Sequence, residues 1–258
     1  MNLDRVTITG ADDSVSPHAL AGLAADFPFV EFGILASATK SVGEPRYPTL
    51  AWMDTFRELA MSKRLRASLH LCGRWTRLLM IGEIEPIVLQ LANGFGRIQL
   101  NFRPDKTPCE PSKAMKALDR VRRCSVFGRD LEFIFQLEGV HGNDRLEDIA
   151  VDYVNAYGEP CNMVGLFDMS GGAGRLPGKW PAPMYHNEGV FDYHGYAGGL
   201  GPDNLAEQLP LIGEAAGETR IWVDMETKVR SDNDRQFDLA KVRRCLEICK
   251  PFVKGGQP

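Results

Sequence analysis

Short apolar runs rich in β-branched residues alternate with longer amphipathic segments along almost the whole chain. A period of two with β-branched residues reads as a strand, and a period near 3.6 reads as a helix with one buried face. The pattern predicts strands near Val6–Thr9, Phe29–Leu35, Arg66–Leu71, Arg97–Asn101, Leu131–Leu137, Met163–Asp168, Tyr193–Ala197 and Arg220–Asp224. Helices are predicted near Pro17–Asp26, Leu50–Ser62, Glu83–Leu91, Ser112–Arg123, Arg145–Ala156, Pro202–Ala216 and Arg235–Ile248. Ser16-Pro17 and Gly201-Pro202 place proline at a first helical turn, where its missing N–H costs nothing. Eight strands alternating with helices over roughly 250 residues is the count of an α/β protein of the (β/α)8 TIM-barrel type. One barrel domain is expected over residues 1–253, with a frayed polar tail over 254–258. A doubly wound open sheet would carry a glycine-rich turn after its first strand, and Gly10-Ala11-Asp12-Asp13 stands there instead.

Composition narrows the picture. The chain has 258 residues, 44% hydrophobic and 25% charged, which suits one domain with a substantial core. The formal net charge is −4 and no long charge runs occur, so a nucleic-acid partner is not expected. No apolar run approaches the ~20 residues of a membrane span, so no membrane partner is expected either. Met1–Val6 enters a strand pattern at once, which leaves no room for a signal peptide and gives a cytoplasmic expectation. The six cysteines form no CxxC pair, and they read as thiols in a reducing compartment.

Candidate chemistry concentrates in the last third. Tyr196-Ala197-Gly198-Gly199-Leu200-Gly201-Pro202-Asp203-Asn204-Leu205 runs from a strand end through a glycine pair into a helix start. Glycines let backbone N–H groups approach an anion, and a helix N-terminus favours negative charge. Barrel enzymes often hold phosphate in this way after one of the last strands. Upstream, Gly171–Asp192 is a long Gly/Pro-rich stretch with Arg175, Lys179 and Trp180, and it is expected to form a lid over the active face.

In register with eight strands, these motifs resemble phosphoribosylanthranilate isomerase. Leu166-Phe167-Asp168 with Ser170-Gly171-Gly172-Ala173-Gly174 resembles that family's sixth-strand Asp and its Ser-Gly-Gly-Thr-Gly turn. Tyr196 through Leu205 resembles its Ala-Gly-Gly-Leu segment. Glu44-Pro45-Arg46-Tyr47 resembles a Ser-Pro-Arg-Tyr after the second strand, and Ile98-Gln99-Leu100-Asn101 a fourth-strand Gln-Leu-His-Gly. The resemblance implies a barrel that performs an Amadori-type isomerisation, with Asp168 as general acid. It also implies a phosphate held by Gly198 and Gly199, by the Gly171-Gly172 turn, and by the turn after the eighth strand.

The chain departs from that pattern at telling places. The family's first-strand cysteine, its general base, is Thr9 here, and a threonine hydroxyl is far too weak a base. The fourth-strand His is Asn101, kept as a substrate contact. The Ser-Gly-Val-Glu after the eighth strand is Thr227-Lys228-Val229-Arg230, which trades close backbone approach for a cation.

Other side chains could carry the chemistry. Arg46 suits a ligand carboxylate or phosphate, because its guanidinium fork fits planar oxyanions. Glu31, inside the second strand, must be paired or face the ligand. His70, late in the third strand, can act near neutral pH. Glu31 or His70 is therefore the expected replacement base, with Cys72 a weaker one and Glu138 and Asp224 outlying members of the same ring. One His and scattered acids do not make a metal site, so neither metal nor cofactor is expected. Lys40, Lys106, Lys179 and Lys228 fall in loops, which argues against Schiff-base chemistry. The expected function is acid/base isomerisation of a small phosphorylated compound. The alternative is a barrel that binds a phosphorylated metabolite without the family reaction.

Overall fold

Eight strands pair in parallel, each with the next in the chain, and the eighth returns to the first. They are β1 (Asn2–Thr9), β2 (Val30–Ser37), β3 (Arg66–Cys72), β4 (Arg97–Asn101), β5 (Glu132–Leu137), β6 (Met163–Asp168), β7 (His194–Ala197) and β8 (Arg220–Met225). Thr7 stands opposite Glu31 on β2 and opposite Asp224 on β8, which closes the barrel. The computed structural model describes residues 1–40, 43–101, 108–137, 162–168, 174–183 and 191–253. The expected helix Arg145–Ala156, the acid Glu138 and the tail 254–258 lie outside the described residues.

The helices are α1 (Pro17–Asp26), α2 (Leu50–Lys63), α3 (Arg74–Met80), α4 (Pro86–Ala92), α5 (Pro111–Cys124), α6 (Leu205–Ala216) and α7 (Leu239–Cys249). Their starts follow local chemistry. Ser16 and Thr49 accept from the N–H of Ala19 and Trp52, which caps α1 and α2. The helix expected over Glu83–Leu91 is α4, which starts at Pro86, and the pattern does not predict the short α3 before it. Gly82, at φ 88°, lies between the two. The last helix begins at Leu239, later than expected, because Asp238 caps it and the preceding residues form a hairpin. That hairpin pairs β9 (Arg230–Ser231) with β10 (Gln236–Phe237). Its turn puts Asp232, Asn233 and Asp234 at φ 49°, 51° and 72°, a left-handed conformation that Asn and Asp tolerate best.

Alternation along each strand divides the core in two. Val6, Ile8, Phe32, Ile34, Leu69, Ile98, Phe133 and Val223 point outward and are buried beneath the helices. The lumen is itself divided. On its β5–β8 side Ile134, Val164, Leu166, Tyr193 and Trp222 form an apolar cluster, with Gln136, Asp168 and Asp224 further along the same strands. Its β1–β4 side is polar: Thr7, Thr9, Glu31, Ser68, His70, Arg97 and Gln99 are all buried. Two glycines make this filling possible. A Cβ on Gly195 would lie 2.1 Å from the Trp222 ring, and one on Gly33 would lie 2.3 Å from Thr9 Oγ1 and 2.8 Å from His70 Nε2. No helix among the described residues is long and apolar enough to cross a membrane.

Candidate active site

The C-terminal strand ends open onto a cleft. Gly198, Gly199, Thr227 and Lys228 border it above. His70, Gln99 and Leu166 form its floor, and Asp168, Asp224 and Glu226 stand between.

The upper border is tightly built. Gly198 and Gly199 take φ 115° and 70°, which other residues rarely adopt. A Cβ on Gly199 would meet the Leu176 backbone nitrogen at 2.7 Å. The turn is locked by Asn204, which donates to Gly199 O at 2.9 Å and accepts from Gly201 N–H at 3.0 Å. Lys228 packs its stem on Gly201, where a Cβ would lie 2.3 Å from its own. The described part of the preceding loop lies alongside this turn. Gly174 borders the cleft. Trp180 is buried, donates to Gln208 Oε1 at 2.9 Å and meets Tyr196 edge to face. Trp180 thus anchors the loop to α6 and β7. Gly171 and Gly172 lie outside the described residues.

Three carboxyl groups face the cleft in different surroundings. Asp168, at the end of β6, accepts from Gln136 Nε2 at 2.7 Å. Asp224, on β8, accepts from the Thr9 hydroxyl at 2.7 Å. Burial, reinforced by the charges of Glu226 and Glu31, pushes Asp224 up to about 8 despite that hydrogen bond. Glu226 is also raised, chiefly by burial, with the paired Arg46 working against the shift. Asp168 and Asp224 both pair in register with Ala197, on the strand that lies between theirs.

His70 lies on the floor, with Nε2 3.0 Å from Ser68 Oγ. Burial pulls it down to about 3, so its ring is neutral near pH 7. That corrects the expectation of His70 as a base: it can share a hydrogen bond with a ligand but holds a proton poorly.

Glu31 requires a larger correction, because it is not at the cleft. It sits near the start of β2, at the closed end of the lumen, where its oxygens accept from Arg97 at 2.9 Å, Arg5 at 3.2 Å and Thr7 at 2.9 Å. Burial opposes its charge, but Arg97, Arg5 and Thr7 outweigh it and hold Glu31 down to about 2. A carboxylate so satisfied is no base. Arg97 is itself wedged over the Trp222 ring, 4.2 Å from its centroid, and pairs with Glu132 at 2.9 Å.

Arg46 lies beside the cleft, across its rim. Its guanidinium pairs with Glu226, with Asp234 at 2.6 Å, and with the Thr227 hydroxyl at 3.3 Å. Its N–H donates to Asp12, which also receives Arg230 at 2.7 Å. This Asp12–Arg230–Asp234–Arg46–Glu226 network ties the loops after β1, β2 and β8 together. Sequence reasoning missed it. The only local signal was Asp232-Asn233-Asp234, which reads as a turn. Asn101 does not border the cleft. It accepts from Gln99 at 2.7 Å and donates to Cys72 Sγ at 3.3 Å. Burial pushes the Cys72 thiol up to about 11, so it offers no thiolate near neutral pH. Among the described residues, no group of three or more His, Cys, Asp or Glu is placed to hold a metal ion.

No protein-family model matches the chain, and no curated protein matches it in sequence. Solved structures share its fold. A truncated 3-deoxy-D-arabino-heptulosonate 7-phosphate synthase from Thermotoga maritima superposes with a TM-score of 0.56 at 10% identity, covering 97% of this chain and 86% of that one. A phospho-2-dehydro-3-deoxyheptonate aldolase from the same organism gives 0.52 at 10% identity, over 97% and 69%. A D-psicose 3-epimerase from Clostridium cellulolyticum H10 gives 0.47 at 8% identity, over 94% and 96%. At such identities the similarity is one of fold: the chain is a closed eight-stranded parallel (β/α)8 barrel.

Proposed function

We propose that this barrel isomerises a small phosphorylated sugar derivative by acid/base proton transfer. One observation carries the reading: one cleft is bordered by a glycine turn with a lysine at its rim and by Asp168 and Asp224 at two strand ends. Backbone N–H groups of Gly198 and Gly199, the Thr227 hydroxyl and Lys228 would bind the phosphate. The sugar would then extend toward His70 and Gln99. Asp168 would be one member of the acid/base pair. His70, held neutral, would hydrogen-bond a carbonyl or hydroxyl oxygen of the substrate. Moving a proton between adjacent carbons needs groups that give and take protons, and carboxyl groups at the barrel mouth would supply them.

The test is deuterium incorporation from D2O into five- and six-carbon aldose and ketose phosphates, read by proton NMR. Turnover of phosphoribosylanthranilate, read by its fluorescence, is run beside it. Incorporation into at least one compound, abolished by Asp168→Asn, is expected. Its absence throughout, with no thermal stabilisation by inorganic phosphate, would remove the reading. A second reading has its own support: Thr9, where the resembling family has its base, spends its hydroxyl on Asp224. Stabilisation by phosphate compounds without any exchange would favour that binding-only barrel.

A further inference from the structure

The Thr9 hydroxyl and the Asp224 carboxyl meet across the β1–β8 seam that closes the barrel. Both are buried, at 1% and 7% exposure, and Asp224 borders the cleft. This contact needs space that the chain provides on the neighbouring strand. Gly33 leaves Thr9 Oγ1 and the His70 ring where a Cβ would stand, at 2.3 and 2.8 Å. A serine or alanine at 33 would push both side chains out of place.

We propose that Asp224 is the proton donor of the reaction and that Thr9 is the residue that positions it. The inference rests on the isomerase reading above and deepens it. Thr9 occupies Oδ1, and in this proposal Oδ2 carries the transferable proton. The first step is then balanced within the site. Asp224 gives its proton to the substrate's carbonyl oxygen while Asp168 takes the proton from the adjacent carbon. The carbonyl π pair becomes the new O–H bond, and the C–H pair becomes the C=C bond of an enediol. In the second step Asp168 returns its proton to the former carbonyl carbon, and the neighbouring hydroxyl gives its proton to Asp224. No oxidant or co-reactant is needed, and both aspartates end as they began. The resemblance gave Asp168 the acid's part; here Asp168 is the acceptor in the first step. The residue that replaced the family's base would thus have become the orienting partner of a new acid on the adjoining strand.

The groups that set the titration of Asp224 are Thr9 on β1, Glu31 on β2, Arg97 on β4 and Glu226 just past β8. His70 on β3 and Asp168 on β6 share its cleft. Burial dominates, and the Thr9 hydrogen bond works against it.

Two curves test the inference. The first is the carboxyl titration of protein labelled with 13C at its aspartate carboxyls. The second is the pH dependence of deuterium exchange. In the wild type, one aspartate is expected to titrate near pH 8, and exchange should fall along the same alkaline limb. Asp224→Asn should remove both the signal and the exchange. Thr9→Val should move the midpoint and the limb upward together by about one pH unit, because the hydrogen bond to the carboxylate is lost. Thr9→Ser should restore both. The wild-type curves need no variant: an exchange rate still rising through pH 9 overturns the inference and leaves the reaction standing. A Thr9→Val limb identical to the wild type does the same. Absence of exchange from every substrate overturns the reaction on which both rest.

Discussion

One lumen holds two buried carboxyl groups with opposite fates. Glu31, at the closed end, is met by two guanidinium groups and a hydroxyl, and it stays charged down to about pH 2. Asp224, at the open end, is met by one hydroxyl and faces other acids, and its pKa is raised to about 8. Burial alone would raise both, so partners decide the outcome. The lower group is a closed structural joint between β1, β2 and β4. The upper group has one hydroxyl partner and borders the cleft. Charge in a barrel lumen is therefore not by itself a sign of catalysis. Charge without compensating partners, beside a cleft, is the better one.

The comparison can be broken most severely from below. Arg97→Met leaves Glu31 with Arg5 and Thr7 alone, and breaking a buried pair on one side typically costs ~3–5 kcal/mol. Denaturant unfolding should show a loss of that order, and Glu31→Leu with Arg97→Met should recover much of it. Unchanged stability in Arg97→Met would remove Glu31 from the structural side of the comparison.

A smaller loss should come from between the two layers. Gly33→Ala forces the Thr9 and His70 side chains aside, and overpacking of this kind costs ~1–3 kcal/mol. The same change should shift the alkaline limb of activity. A variant as stable and as active as the wild type would show that the lumen yields more easily than its contacts imply.

The two carboxyl groups should also leave opposite marks on stability against pH. Glu31 has a folded pKa below its unfolded value. Its contribution is present above about pH 4.5 and is lost as pH falls toward about 2. Asp224 has a folded pKa above its unfolded value. Its contribution is present below about pH 3.8 and is lost as pH rises through about 8. Asp224→Asn should therefore flatten the decline between pH 4 and 8, and above pH 8 it should be more stable than the wild type. Parallel unfolding curves for the two proteins across that range would contradict the raised pKa.

The smallest effect belongs to the rim. Lys228→Ala should weaken inorganic phosphate binding about tenfold, the scale of one charge-assisted hydrogen bond, with little change in stability. Calorimetric titration measures it. Unaltered affinity would place the anion elsewhere.

The positions of all eight barrel strands were legible in the chain, because alternation and turn chemistry are local properties. The glycine turn was legible for the same reason: Gly199, Gly201 and Asn204 lie within six residues, and the Asn204 amide bonds both glycines. Asp168 was legible as a strand-end acid. Glu31 was legible only as a charge needing either a partner or a ligand. Its partner Arg97 is 66 residues away, and only the barrel's register brings them together. The rim network was hidden in the same way. Arg46 meets Glu226 across 180 residues and Asp234 across 188.

The sequence by itself determined the strand and helix order, the barrel that order closes, and the glycine turn at the end of its seventh strand. Each of these rests on period, propensity or backbone freedom within a few residues. The tertiary structure alone decided which charges are satisfied and which are left facing the cleft. Pairing energy depends on distances between residues far apart in the chain, and of two acids of similar appearance in the sequence one becomes a salt bridge and the other borders the cleft only when the barrel closes around them.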